Sequence, residues 1–355
     1  MHLFVGSATI RLNTEEPPCQ IAVCPEIRTE MGGLPPETPI FSFGVIADIQ
    51  YADVDERYNY SRTAMRYYRN SVHLLRNARQ SWCESAVKPE FIIQLGDIID
   101  GVNHSHRTSE QALERVMAEF SRCPIPVHHV WGNHEFYNFS RRELFLSKIN
   151  SSGSGVPLPG GDIYAYTFSP FPGFTFVVLD GYDVSLLGRE DGSVKYRDAH
   201  QLITQFNDSE DLNSPPGRSE DLEQRFSMFN GALSKEQLDW LDSVLSSADE
   251  KQEKVTIVCH LPVHPRSTTN MCLLWNYDEV LGMIKAHRSV VCFISGHDHD
   301  GGYYSDKDTG VHHLTLEGVI ETPPHSDAFG TISVYSDRME LKGFGRIPDR
   351  VCLFR

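Results

Sequence analysis

FIIQLGDIID, residues 91–100, decides the fold: an apolar run, Phe91–Leu95, stops at Gly96-Asp97, and a second acid follows at Asp100. A short apolar run closed by a turn residue reads as a strand buried on both faces, the kind that lies in a sheet covered by helices. Four other segments repeat the pattern. Phe41–Ala47 runs into Asp48 and Gln50, Pro126–Val130 into Gly132-Asn133-His134, Val255–Cys259 into His260, and Val290–Ser295 into Gly296-His297-Asp298-His299. Amphipathic stretches separate them. Over 61–82, Met65, Tyr68, Val72, Leu75, Ala78 and Trp82 recur at three- and four-residue spacing and predict a helix. Thr108 with Gln111, and Ser234 with Gln237, predict capping boxes at two helix starts. Further helices are expected over 141–149 and 278–286, and further strands over about 164–169 and 174–179, ending at Asp180. Short alternating segments near 312–316, 329–335 and 338–343 predict an antiparallel tail.

Strands alternating with helices define an α/β chain. In such sheets ligands bind outside the carboxyl ends of the strands. That rule gathers Asp48, Gln50, Asp97, Asn133, His134, His260, His297 and His299 at one edge. Each is a metal-ligand or proton-transfer type, and each alone means little. Five successive strand ends, each offering a nitrogen or oxygen donor, are not an accident of composition and mark a functional site of metal ligands or proton-transfer groups.

The flanking sequence bounds the rest. The 355 residues are 40% hydrophobic and 10% aromatic, enough for a packed core. A formal charge of −16 argues against a protein that coats nucleic acid or anionic membrane. No apolar run reaches the ~18 residues of a membrane helix, and MHLFVGSATI lacks a basic n-region before Arg11, so no signal peptide is expected. The eight cysteines form no CxxC pair, and Cys259 and Cys292 sit inside strands. A reduced, cytoplasmic, monomeric protein is expected. Residues 1–39, rich in proline, predict a weakly ordered extension, with Met31 as an alternative start. The domain then spans 40–355, with a long, irregular insertion at about 181–230 that contains Pro215-Pro216-Gly217.

The blocks Asp48-Ile49-Gln50, Gly96-Asp97-Ile98-Ile99-Asp100, Gly132-Asn133-His134-Glu135, His260 and Gly296-His297-Asp298-His299 resemble, in content and order, the signature of the calcineurin-like metallophosphoesterases. The resemblance implies a four-layer αββα sandwich of two mixed sheets flanked by helices. It implies two divalent ions, one held by Asp48, Gln50, Asp97 and His299, the other by Asp97, Asn133, His260 and His297. Asp97 would bridge them, and a hydroxide shared between the ions would attack phosphorus in line. His134 would stand beside the site, hydrogen-bonded to Asp100, a pairing that favours the imidazolium and suits it to protonate the leaving oxygen.

One block departs from the family: Gln50 stands where most members have histidine. A neutral amide oxygen is the harder ligand and suits Mn²⁺ or Mg²⁺ better than Zn²⁺. The same glutamine, with GVIADIQYAD, LDGYDVS, NGALSKEQLDWL and GHDHDGGY, is similar to the branch of manganese-dependent diphosphatases of ADP-ribose and CDP-alcohols. That likeness implies hydrolysis of a pyrophosphate to a nucleoside monophosphate and a second phosphomonoester, with small nucleotides as the only partners. A phosphodiesterase acting on cyclic nucleotides or other diesters stays open from the five blocks alone, as does a metal-poor scaffold. The arginine of GDxVDRG phosphatases is missing after Asp100, and no tyrosine follows Asp97 as in purple acid phosphatases. No residue is assigned to the substrate. Tyr51, Tyr58, Tyr60, Tyr182 and Phe229 are candidates to stack on a base, Asn103, His104 and His106 to reach a phosphate, and Glu317–Pro324 to form a pocket wall.

Overall fold

The computed structural model describes residues 38–217 and 221–355. The expected N-terminal extension, with Met31, Cys19 and Cys24, falls outside them apart from its last two residues. The described chain opens with β1 (Phe41–Ile46), then a ribbon of β2 (Arg57–Tyr58) and β3 (Met65–Arg66), then α1 (Ser71–Glu84). β4 (Phe91–Gln94), α2 (Val102–His106), α3 (Ser109–Phe120), β5 (Val127–His129), α4 (Asn133–Asn138) and α5 (Arg141–Leu146) follow. β6 (Val156–Pro157), β7 (Tyr166–Phe171) and β8 (Phe174–Val178) lead to α6 (Val194–Phe206) and α7 (Lys235–Lys251). Then come β9 (Lys254–Val258), α8 (Tyr277–Ala286), β10 (Val290–Ser295), β11 (Gly302–Ser305) and β12 (His312–Thr315). The chain closes on β13 (Ala328–Val334), β14 (Arg338–Gly345) and β15 (Arg350–Leu353).

Two mixed sheets result. One runs β15-β14-β13-β1-β4-β5, the other β11-β12-β10-β9-β8-β7-β6. β1, β4 and β5 are mutually parallel, as are β8, β9, β10 and β12, and the outer strands turn antiparallel. Facing phenylalanines join the sheets: Phe43 lies edge-on to Phe176 with ring centres 5.2 Å apart, and Phe91 to Phe168 at 5.3 Å. Alternate residues of β1 face outward, where α1 packs. A Cβ on Gly44 would lie 2.7 Å from the Trp82 ring, so this glycine makes room for the helix. α3 packs on α1, and α7 on β9 of the second sheet. Both faces of the central strands are thus covered, which is why FSFGVI and FIIQ are buried throughout.

Several local expectations are corrected. The helix predicted over 61–82 begins only at Ser71. Ahead of it, Asn59 Oδ1 accepts from the backbone N–H groups of Thr63 and Ala64, an Asx-type turn that competes with helix and folds the β2–β3 ribbon. Thr108 makes no capping box; its hydroxyl turns back to Asn103 Oδ1 at 3.1 Å. Ser234 does accept from Gln237 N–H, but the Gln237 side chain spans to Asp180 instead of closing the box. The 181–230 stretch contains α6, and β12, antiparallel to β11 as expected, is parallel to β10 on its other side and lies in the second sheet, apart from β13 and β14. The wholly reduced chain is also corrected. Cys83, at the end of α1, and Cys123, just after α3, are disulfide-bonded with Cα atoms 6.3 Å apart, because the two helices pack side by side. Cys259, Cys272, Cys292 and Cys352 are free and buried.

Candidate dinuclear metal centre

The loops after β1, β4, β5, β9 and β10 converge on one buried point. The chain turns there so sharply that Asp48, Gln50, Asp97 and His297 adopt left-handed backbone (φ 51°, 41°, 56° and 71°), a conformation that non-glycine residues keep only where the surroundings enforce it. The glycines beside them leave space for the donors themselves. A Cβ on Gly132 would sit 2.2 Å from Asp97 Oδ1, and one on Gly96 would sit 2.4 Å from His260 Nδ1. The glycines of GD and GN are therefore fixed by the crowding of the site.

Asp97 is the centre. Its Oδ2 lies 3.5 Å from His260 Nε2 and accepts from Gln50 Nε2 at 3.1 Å, while Oδ1 accepts the His134 backbone N–H at 2.8 Å. On one side, His260 Nε2 and His297 Nδ1 are 3.1 Å apart. Each ring is held from behind: His260 Nδ1 donates to Leu95 O at 2.7 Å, and His297 Nε2 to Asn230 Oδ1 at 2.8 Å. Asn133 lies at the start of α4, its Oδ1 3.3 Å from the Tyr182 hydroxyl. On the other side, His299 Nε2 faces Asp48 Oδ1 at 3.4 Å and Gln50 Nε2 at 2.9 Å, and its Nδ1 meets Glu321 Oε1 at 3.1 Å. The structure thus brings together Asp48, Gln50, Asp97, Asn133, His134, His260, His297 and His299.

The donor set draws positive charge. Burial would raise the Asp97 carboxyl, but His260 and His134 outweigh it and hold it below the usual carboxylate range. Burial likewise opposes charging of His260 and His299, yet Asp97 in the first case, and Asp48 with Glu321 in the second, lift each to about 9. Burial, followed by His260, pushes His297 well below the ordinary imidazole value. Two acceptor atoms, Asp48 Oδ1 and Gln50 Oε1, are buried without any hydrogen-bond partner. Buried acceptors left unpaired are costly. Orphaned hard oxygens among convergent imidazoles and carboxylates match the needs of divalent cations, and Asp97, His260 and His297 offer donor atoms within 4.8 Å of one another.

His134 and Asp100 differ from expectation. His134 Nδ1 accepts the Gly101 N–H at 2.8 Å and stands 3.5 Å from Asp100 Oδ2, beyond a hydrogen bond. A backbone amide orients the ring, which leaves the ring proton on Nε2, 3.9 Å from Asp97 Oδ2. Asp100 Oδ1 instead caps Val102 N–H, and Oδ2 faces Arg66 at 3.7 Å. Among the other candidates, Asn103 is buried and braces Tyr51 O and Asp100 O, and His104 and His106 are exposed on α2. Tyr182 is enclosed by protein and cannot stack on a base, whereas Tyr58 and Tyr60 are exposed and Phe229 stands 5.8 Å from the His297 ring. Asp180, although at a strand end, is outside the cluster, paired with Arg141.

Four supporting residues escaped the sequence reading. Glu135 accepts from the backbone N–H of Asp97, Ile98 and Gly132, tying two loops together. Its place in GNHE was the one signal available. Arg66 lies in a segment without motif, whereas Asn230 opens the NGALSKEQLDWL block and Glu321 falls in the Glu317–Pro324 stretch, neither of which pointed to a partner of a site histidine.

Residues 41–301 match the calcineurin-like phosphoesterase family. The chain is 52% identical over 331 residues to a manganese-dependent ADP-ribose/CDP-alcohol diphosphatase of Xenopus tropicalis, covering 90% of this chain and 96% of that one. It is 49% identical to the Homo sapiens protein of the same name over 323 residues, covering 89% and 93%. A crystal structure of a dimetal phosphatase from Danio rerio, 53% identical, superposes with a TM-score of 0.86 over 89% of this chain and all of that one. Among the described residues, no helix is long and apolar enough to cross a membrane. With its motif loops assembled at one point and these likenesses along nearly its whole length, the chain belongs to the calcineurin-like phosphoesterases, in the group of the manganese-dependent ADP-ribose/CDP-alcohol diphosphatases.

Proposed function

We propose that the protein hydrolyses the pyrophosphate of ADP-ribose and of CDP-alcohols such as CDP-choline, in a manganese-dependent reaction that yields AMP or CMP and a second phosphomonoester. The observation that carries this reading is the convergence of Asp48, Gln50, Asp97, His260, His297 and His299 on one buried point, with Asp48 Oδ1 and Gln50 Oε1 left unpaired. In this reading Asp48, Gln50, Asp97 and His299 would hold one ion, and Asp97, Asn133, His260 and His297 would hold the other. Two divalent cations supply the charge that neutralises a pyrophosphate, and they lower the pKa of water.

The chain's own residues do the rest. Asp97 is held through Oδ1 by the His134 backbone N–H, which orients the carboxylate that both ions would share. His134 presents its Nε2 proton toward the same point, where it can pass to the oxygen that leaves. Arg66, with its side chain 23% exposed beside Asp100, places a permanent positive charge at the rim.

The test is direct. Protein stripped with chelator and restored with Mn²⁺ should convert ADP-ribose to AMP and ribose 5-phosphate, and CDP-choline to CMP and phosphocholine. Cyclic AMP should be turned over more slowly. No metal-dependent release from ADP-ribose or CDP-choline would refute the proposal.

A further inference from the structure

The two proposed cation positions are backed by different chemistry. At the His260–His297 position, both imidazoles donate to neutral acceptors, Leu95 O and Asn230 Oδ1. At the Asp48–Gln50 position, the single imidazole, His299, faces a carboxylate, Glu321, at 3.1 Å. Glu321 is itself held by Arg66 Nε at 3.3 Å, and its side chain is only 6% exposed.

Glu321 ends the one-turn 3-10 segment Val319–Glu321, and that turn is bolted to the site it serves. Ile320 N–H donates to Asp48 O at 3.0 Å, Val319 N–H to Ala47 O at 3.1 Å, and Gly318 N–H to His299 O at 3.1 Å. From the other side, Tyr67 N–H donates to Ile320 O at 2.8 Å. A Cβ on Gly318 would lie 3.0 Å from the His299 ring, so the turn rests against the imidazole itself. The carboxylate is therefore fixed relative to two ligands of one position and touches none of the other.

We infer that Glu321 is a positioning residue for the Asp48–Gln50–His299 cation position and sets its affinity separately from that of its neighbour. The inference deepens the proposed function and rests on its ligand assignment. An Nδ1–H held by a carboxylate locks the tautomer that turns the Nε2 lone pair inward and raises its basicity, and loss of such a partner typically weakens metal binding about 10–100-fold. At this position a neutral amide, Gln50, takes one ligand place, so much of the donor strength falls to His299 and to what stands behind it.

The test is an equilibrium titration of the full-length apoprotein with Mn²⁺, with free Mn²⁺ read by electron paramagnetic resonance. It compares wild type, Glu321→Gln, His299→Ala and the double variant, each first shown to melt cooperatively. Glu321→Gln keeps the shape and removes the charge. It should still bind two ions, with one dissociation constant raised about 10–100-fold and the other unchanged. In the His299→Ala background, the same substitution should add no further weakening. If Glu321→Gln does not fold, Glu321→Asp, whose shorter arm withdraws the carboxylate from Nδ1, should give the same selective rise. Wild-type affinities in Glu321→Gln, equal weakening at both positions, or an effect that persists without His299 would each overturn the inference while leaving the ligand assignment standing. Unchanged binding in His299→Ala would overturn both.

Discussion

The strand-end loops and the long connection over 181–230 arrive at the same point by different means. The loops after β1, β4, β5, β9 and β10 each carry donors to it directly, and those after β1, β4 and β10 do so through left-handed backbone at Asp48, Gln50, Asp97 and His297. Among the described residues, the connection meets the site at its two ends. Tyr182, just past β8, places its hydroxyl 3.3 Å from Asn133 Oδ1, and Asn230, at the far end, holds His297 Nε2 at 2.8 Å. Between these ends the chain folds on itself. Ala199 and Ile203 of α6 pack with Phe226, Ala232 and Trp275 in a small separate core, and Phe206 stacks on Phe226 at 4.1 Å. The loops thus supply chemistry, and the connection supplies orientation.

That contrast ranks the consequences of substitution. Asp97→Ala should do most harm, because both proposed cation positions lose a ligand: kcat should fall more than about 1,000-fold, and elemental analysis should find Mn²⁺ depleted at both. His134→Ala should lower kcat about 100–10,000-fold with Mn²⁺ content kept, since His134 offers a proton and no ligand in this account. Equal metal loss in the two variants would erase the distinction between ligand and proton donor. Tyr182→Phe removes the hydroxyl shared between Asn133 Oδ1 and Phe229 O and should cost about 1 kcal/mol, read as a several-fold rise in the Mn²⁺ concentration giving half-maximal activity. Phe226→Ala, in the middle of the connection, should lower thermal stability by about 3 kcal/mol while kcat per folded molecule stays within about twofold. A large kcat loss there would show that the connection does more than orient.

The same contrast explains what the sequence reveals. The central strands are buried on both faces, so FSFGVI, FIIQ and VVCFIS carry an unbroken apolar signal, and each stops where the chain turns at the site. Gly96 and Gly132 are written into the motif because a Cβ there would collide with a donor. Orientation leaves no such trace. Glu321 meets His299 and Arg66 across the fold, the latter 255 residues away, through contacts that only the tertiary structure creates. Arg66 was hidden in a stretch whose apolar spacing imitates a helix, although the Asn59 turn makes it a ribbon. The place of His134 beside the cluster was legible, but its orienting partner was not: the Gly101 N–H, a backbone group that sequence does not encode, takes the place expected of Asp100. The pairing of Cys83 with Cys123, forty residues apart, likewise follows from the packing of α1 on α3 and from no spacing rule.

The central claim is that strand-end residues, drawn from both sheets, assemble two cation positions about one shared carboxylate. A crystal grown with Mn²⁺ and recorded at the manganese absorption edge addresses it most directly. The account predicts two anomalous peaks, one among Asp48, Gln50, Asp97 and His299, the other among Asp97, Asn133, His260 and His297, with the Gln50 oxygen turned toward the first. A single peak, or a pair that Asp97 does not share, would contradict it.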